Sequence, residues 1–309
     1  MTRGRTSPCG FWGAAAPSPP VRFGSGGAER SRVGTGRELR VRLRAAARPR
    51  PGVCGTERTG RERGSSNMGL ELYLDLLSQP CRAVYIFARC NNIPFEFKRV
   101  ELMKGQHKTE EFRKVNVLMK VPALRDGSFT LAESVAILMY LARKFKTPDH
   151  WYPSDLQKQA RVDEYLSWQQ AHIRGKGSKL FLSKMLIPLL TGQPLPPEKV
   201  EGATEELNVV LNQFEEKFLQ DRPFIVGNNV SLADLVALVE LMQPVASGYN
   251  LFEERPKLAE WRRRVEEAVG TQLFQEAHEE ILNAKNVTAD KIAPELREHF
   301  KQQLLKQVN

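Results

Sequence analysis

The sequence predicts two folded domains of different class: an α/β domain over residues 68–146 and an all-helical domain over residues 154–309, joined by a linker at 147–153. Three observations carry this reading. A short alternating apolar run, Leu70–Leu76, leads into a helix headed by Pro80. Asp126-Gly127 separates two short apolar runs, as a hairpin turn does. Beyond Ser154 the apolar spacing is helical and no convincing strand appears. A chain of 309 residues has room for about two such domains.

Taken in order, Leu70, Leu72, Leu74 and Leu76 line one face of a first strand. The helix after it carries Ala83, Val84, Ile86, Phe87 and Ala88, apolar on nearly all sides, and so is expected to be buried. Asn91-Asn92 ends it, and Phe95–Val100 is a second strand. Thr109–Val115 is a short helix, Val121–Leu124 and Ser128–Leu131 form the hairpin, and Glu133–Phe145 is a third helix. The order is β-α-β-α-β-β-α, a thioredoxin-like arrangement. In the helical domain, the proline-rich stretch Leu186–Pro197 is expected to break two helices. Val230-Ser231-Leu232-Ala233-Asp234-Leu235 has the spacing of a capping box with a hydrophobic staple, which accounts for Ser231 and Asp234 without a catalytic role. Trp151, Trp168 and Trp261 read as core or interface residues.

The net charge of +10 is uneven. Residues 1–67 hold 14 Arg, no Lys, four Glu and no Asp, which leaves 32 basic and 32 acidic side chains for residues 68–309. The folded part therefore has no electrostatic case for nucleic acid. The Arg/Gly/Ala-rich segment 1–67 has few large apolar residues and is expected to be a disordered extension, with Met68 as the usual start. It lacks the apolar centre of a signal peptide. No apolar run reaches the ~18 residues of a membrane span. The four cysteines form neither a disulfide framework nor a zinc pattern, so no metal is expected and a reducing cytoplasm fits.

The chemistry concentrates at Ser78-Gln79-Pro80-Cys81. A strand feeding x-x-Pro-Cys at a helix start is the layout of a thioredoxin-like redox site, where the first position is a cysteine. Serine there forms no disulfide with Cys81, so dithiol exchange is lost. What remains is a hydroxyl near a helix N-terminus, suited to hold the thiolate of another molecule. A thiol of pKa ~8.5 is ~3% ionised at pH 7, and lowering it by two units requires about 2.7 kcal/mol. A hydrogen bond to a charged group contributes roughly 1.5–3 kcal/mol, and a helix N-terminus roughly 0.3–1 kcal/mol. One hydroxyl and one helix end are enough. An oxidoreductase using Cys81 alone is the competing reading, opposed by the apolar helix around that thiol.

Residues 68–309 resemble a theta-class glutathione transferase. The resemblance runs through Leu-Tyr-Leu-Asp-Leu-Leu-Ser-Gln-Pro-Cys-Arg-Ala, Lys120-Val121-Pro122-Ala123-Leu124, Glu133-Ser134 and Ser231-Leu232-Ala233-Asp234-Leu235. It implies the glutathione transferase fold and glutathione as co-substrate, with Ser78 as donor to its sulfur. It also implies a cis Val121-Pro122 bond that presents the Val121 backbone to the tripeptide, Glu133 and Ser134 at the γ-glutamyl end, and His107 and Lys120 at the glycyl carboxylate. The resemblance further implies that Arg174 faces the electrophile, where a cation stabilises a departing halide or sulfate. Two departures stand out: Gly175-Lys176-Gly177, expected to loosen or end the helix after Arg174, and Val117, where the family commonly has proline.

The expected activity is conjugation of glutathione to alkyl halides, epoxides and sulfate esters, with reduction of organic hydroperoxides as a further implication. The resemblance also implies a cytoplasmic homodimer with a role in detoxification. The alternative is a non-catalytic interaction module on the same fold. At the C-terminus Ile292, Leu296, Phe300, Leu304 and Val308 recur every fourth residue, predicting a helix at about 291–308 that roofs the electrophile pocket.

Overall fold

Strand β1 (Leu70–Leu74) buries Leu70, Leu72 and Leu74. The computed structural model describes residues 69–298 and residue 301. The expected extension at 1–67, with Cys9 and Cys54, and the stripe residues Phe300, Leu304 and Val308 lie outside the described residues. β1 stops two residues short of the expected end. Asp75 turns the chain there, its carboxylate accepting from the Leu77 N–H at 3.0 Å and its carbonyl from the Ser78 N–H at 3.0 Å.

Helix α1 (Gln79–Cys90) follows, then β2 (Glu96–Arg99), α2 (Glu110–Arg113), β3 (Ala123–Asp126), β4 (Phe129–Ala132) and α3 (Ser134–Lys144). The sheet order is β2-β1-β3-β4, with β2 parallel to β1 and the other two pairs antiparallel. Leu72 stands opposite Phe97 on one side and Leu124 on the other, so the apolar face of β1 continues across the sheet. Gly127, at φ 62°, makes the β3–β4 turn, and the Val121-Pro122 bond is cis. As expected, α1 is buried, and it packs against both α3 and the helical domain.

The helical domain comprises α4 (Leu156–Gln169), α5 (Gly175–Phe181), α6 (Ile187–Thr191), α7 (Pro197–Gln213), α8 (Leu232–Ala246), α9 (Pro256–Val269) and α10 (Thr271–Leu282). α8 is its axis, buried almost all round and packed against α1, α4, α5, α9 and α10. Asp234 in its first turn accepts from Ile225 N–H, Ser231 N–H, the Ser231 hydroxyl and Trp261 Nε1–H at 2.7–3.0 Å. This structural role is the one its spacing predicted. Trp151 and Trp261 are buried, and Trp168 packs on Tyr165 and Phe218.

Two expectations are refined. Gly175-Lys176-Gly177 does not end the helix: a π turn (Gln170–Arg174) joins α4 to α5, and Gly175 keeps helical angles of −60° and −49°. The reason is packing. Gly177 is buried with the Pro244 ring and the Glu240 carbonyl beside it, so contact with α8 overrides weak local propensity. The break expected across Leu186–Pro197 is narrower. Ile187–Thr191 is helical with Pro188 in its first turn, and Gly192, at φ 72°, ends it.

Candidate active site

Ser78 is the N-cap of α1, half-buried, at φ −87° and ψ 125°. Its side chain makes no capping bond to the backbone of the helix. Instead it reaches the sulfur of Cys81. Burial pushes the Cys81 thiol up to about 12, which denies it thiolate character and removes the basis for redox chemistry at this position. Arg82, fully buried one turn into α1, donates through Nη1 to the carbonyls of Leu76 at 2.8 Å and Leu77 at 3.1 Å. The turn that carries Ser78 is thus held from inside by Asp75 and Arg82.

Beside this turn lies a polar cleft of about 220 Å³. It gathers Lys120, Val121, Glu133, Ser134 and Arg174 of the predicted residues, together with Pro80, Asn116 and Gln170. Lys120 and Glu133 are exposed, and Ser134 is buried as the first residue of α3. Glu133 holds φ 68°, in the left-handed region, at the junction of β4 and α3. The cleft therefore offers a cation at one wall and, at another, a carboxylate beside the hydroxyl and N-terminus of a helix. Asn116 shapes the loop before Lys120: its amide donates to the Lys120 carbonyl at 2.7 Å and its oxygen accepts from Leu118 N–H at 3.0 Å. Exposed Val117 sits within this pinned loop. Arg174 donates through Nη1 to Gln170 Oε1 at 3.1 Å.

A second cavity of about 210 Å³ is apolar, lined by Leu77, Met103, Phe181, Met185, Ile281 and Ile292 among others. Leu77 faces this cavity and Pro80 faces the cleft, with Ser78 between them in sequence and lining neither. The structure does not bring His107 to the cleft. It lines the apolar cavity, its Nδ1 buried without a partner among the described residues, and burial lowers its pKa below the ordinary imidazole value. The C-terminal segment contributes Val287 and Ile292 to this cavity. It is anchored by Ala293 N–H to the Met103 carbonyl at 2.9 Å.

Sequence reasoning missed Asp75, Arg82, Asn116 and Gln170. Arg82 had a signal: an arginine inside a helix otherwise apolar on nearly all sides requires buried acceptors. The other three look like ordinary turn or surface residues until the chain is folded.

The family models for the N-terminal and C-terminal domains of glutathione S-transferase match residues 72–143 and 181–268. Glutathione S-transferase theta-1 of Gallus gallus is 58% identical, over 77% of this chain and 99% of its own. The structure is similar to that of apo human glutathione-S-transferase T1-1, with a TM-score of 0.74 and 55% identity over 78% of this chain and all of the other. It is also similar to a human theta-class glutathione transferase in complex with the glutathione conjugate of 1-menaphthyl sulfate. That TM-score is 0.73, at 52% identity over 78% of this chain and all of the other.

Proposed function

Because the chain belongs to the theta class of glutathione S-transferases, an enzyme family, we propose that Ser78 activates glutathione and that the activated sulfur displaces a leaving group from a small electrophile. The observation that carries this reading is the joining of two features: a hydroxyl at the head of α1 that caps nothing, and beside it a cleft with charges of both signs. Glutathione has two carboxylates and an ammonium. Glu133 suits the ammonium, Ser134 and the α3 N-terminus suit the γ-glutamyl carboxylate, and Lys120 suits the glycyl carboxylate. The Val121 backbone pairs with the tripeptide as an added strand. His107, which lines the apolar cavity and not the cleft, falls outside this set.

In this mechanism the Ser78 hydroxyl donates to the glutathione sulfur and, with the α1 N-terminus, favours the thiolate. The thiolate attacks an electrophilic carbon, a carbon–sulfur bond forms, and the electron pair leaves with halide or sulfate. Arg174 receives the charge that develops. With an epoxide the leaving oxygen stays attached; with an organic hydroperoxide the thiolate attacks oxygen, and a second glutathione completes the reduction. The Ile292 segment roofs the apolar cavity. A cytoplasmic homodimer with a role in detoxification completes the reading, which the family resemblance supports. Among the described residues no helix is long and apolar enough to cross a membrane, and no group of side chains is arranged to hold a metal.

The test is turnover of glutathione with alkyl halides, epoxides, aryl sulfate esters and organic hydroperoxides. Conjugation of at least one carbon electrophile, lost in Ser78→Ala, is the expected result. Equal turnover in the two proteins removes Ser78 from the mechanism.

A further inference from the structure

Behind Arg174 lies a buried carboxylate to which the mechanism above gives no task. Glu240, on α8, is 2% exposed. Its Oε1 stands 3.9 Å from Arg174 Nε, and its Oε2 is buried with no hydrogen-bond partner among the described residues. The groups that face it are few. From the π turn comes Arg174, and from α1 comes Arg82, whose Nη2 donates to the carbonyl of the adjacent Val239 at 3.3 Å. From α4 comes Tyr165, its buried hydroxyl also unpartnered. His278 on α10 faces Arg82 and is kept neutral by burial. A buried carboxylate with an unsatisfied oxygen is unfavourable, and its persistence calls for a reason.

We infer that Glu240 is a positioning residue for Arg174: it holds the guanidinium by its Nε edge and offsets part of its charge, so that a leaving anion is bound during displacement and released afterwards. The inference rests on the reading that Arg174 meets the leaving group. Its geometry is that of a cation held on two sides. Gln170 takes Nη1 at 3.1 Å and Glu240 takes the Nε side, while Arg174 lines the cleft. A buried negative charge about 4 Å from a guanidinium that is itself one-third exposed reduces its attraction for a second anion. The offset is adjustable. Burial lifts the Glu240 carboxyl to about 7, against the downward pull of Arg174 and Arg82, so near neutral pH it exists in both protonation states. An anion arriving at Arg174 competes with the carboxylate for the same cation and favours its protonation, and by linkage a protonated Glu240 favours the anion.

The experiment is equilibrium titration of the full-length protein with sodium sulfate, followed by calorimetry between pH 6 and pH 8, with the glutathione site saturated by S-methylglutathione so that no ligand thiol titrates in that range. Sulfate itself does not titrate in that range. In the parent protein the dissociation constant should fall about five- to tenfold from pH 8 to pH 6. Glu240→Gln should bind at pH 8 as tightly as the parent does at pH 6, with a flat profile. Arg174→Gln and the double variant should bind equally weakly, and in Glu240→Gln the glutathione dissociation constant should stay within about twofold of the parent's. Parent-like affinity and pH dependence in Glu240→Gln overturn the inference. If that variant does not fold, a flat profile in the parent does the same. Sulfate binding that ignores Arg174→Gln overturns the reading of Arg174 instead.

Discussion

Arg82 Nη2 donates to Gln243 Oε1 at 2.9 Å, linking α1 to α8 across 161 positions of sequence. The same guanidinium holds the carbonyls of Leu76, Leu77 and Val239, so one buried cation ties the Ser78 turn to the central helix of the second domain. Burial lowers its pKa to about 10, leaving it charged at neutral pH. Arg82→Leu strands several buried acceptors and should destabilise the protein by roughly 3–5 kcal/mol in urea unfolding. Gln243→Leu removes a single acceptor and should cost about 1–3 kcal/mol. Equal losses in the two variants would show that the fork is not the shared anchor.

Ser78→Ala separates catalysis from capping. A capping serine lost to alanine typically costs about 1 kcal/mol, but the Ser78 side chain makes no such bond. Thermal stability should therefore change by less than a typical cap, while kcat falls about 10²–10³-fold with little change in glutathione affinity. A large melting shift with unchanged kcat would reverse the assignment.

Glu133 is held at φ 68°, a conformation that costs a non-glycine residue about 1–3 kcal/mol. Glu133→Gly should relieve that strain and leave the protein at least as stable as its parent, yet weaken glutathione binding through loss of the carboxylate. Glu133→Ala should weaken binding similarly without the stability gain. Calorimetry of glutathione binding and thermal melts on both variants check this. Undiminished affinity in both would remove Glu133 from the γ-glutamyl site.

His278 and Glu240 act on stability with opposite signs over one pH range. Burial holds His278 well below the ordinary 6.5, and His107 is lowered in the same direction. Below about pH 6.5 the unfolded chain takes up protons these folded rings refuse, so their contribution falls on acidification. Glu240 sits at about 7 in the fold against 4.5 in the open chain. Between those values the folded form carries the extra proton, so its contribution rises on acidification. Each site changes stability by at most about 1.4 kcal/mol per pH unit. Relative to the parent, Glu240→Gln should melt progressively lower from pH 6.5 to pH 5, and His278→Phe progressively higher. Parallel profiles in all three proteins would refute both assignments.

Truncation before Val287 removes the segment that lines the apolar cavity with Ile292 and anchors on Met103. It should alter turnover and the range of electrophiles accepted while leaving glutathione affinity nearly intact. Lower thermal stability with identical kinetics on every electrophile would make the segment scaffold only.

The α/β order was legible because its signals are local: alternating leucines in β1, Pro80 in the first turn of α1, Asp126-Gly127 between β3 and β4. The Asp234 cap was legible for the same reason. The helix after Arg174 was not, because what straightens it is the contact of Gly177 with α8, over 60 residues distant in sequence. At the site, Lys120, Val121, Glu133, Ser134 and Arg174 line one cleft, whereas the side of His107 toward the apolar cavity is decided by tertiary packing. Asp75 and Glu240 escaped notice because each works through a partner that only the fold supplies.

The π turns at Gln170–Arg174, Leu182–Leu186 and Phe214–Leu219 have a consequence for how this chain tolerates change in length. Each wide turn accommodates one residue more than α-helical winding requires. A one-residue deletion inside Gln170–Arg174 can be absorbed by rewinding to α geometry, so the helical run from α4 to α5 survives. The same deletion within α8 turns every later side chain by about 100° and takes the core face with it. The surplus residue is therefore dispensable for folding and indispensable for aim, because rewinding would carry Arg174 away from the cleft. Among length variants of this chain, deletions should be recoverable as folded protein at the π turns, with the loss at Gln170–Arg174 felt in chemistry alone.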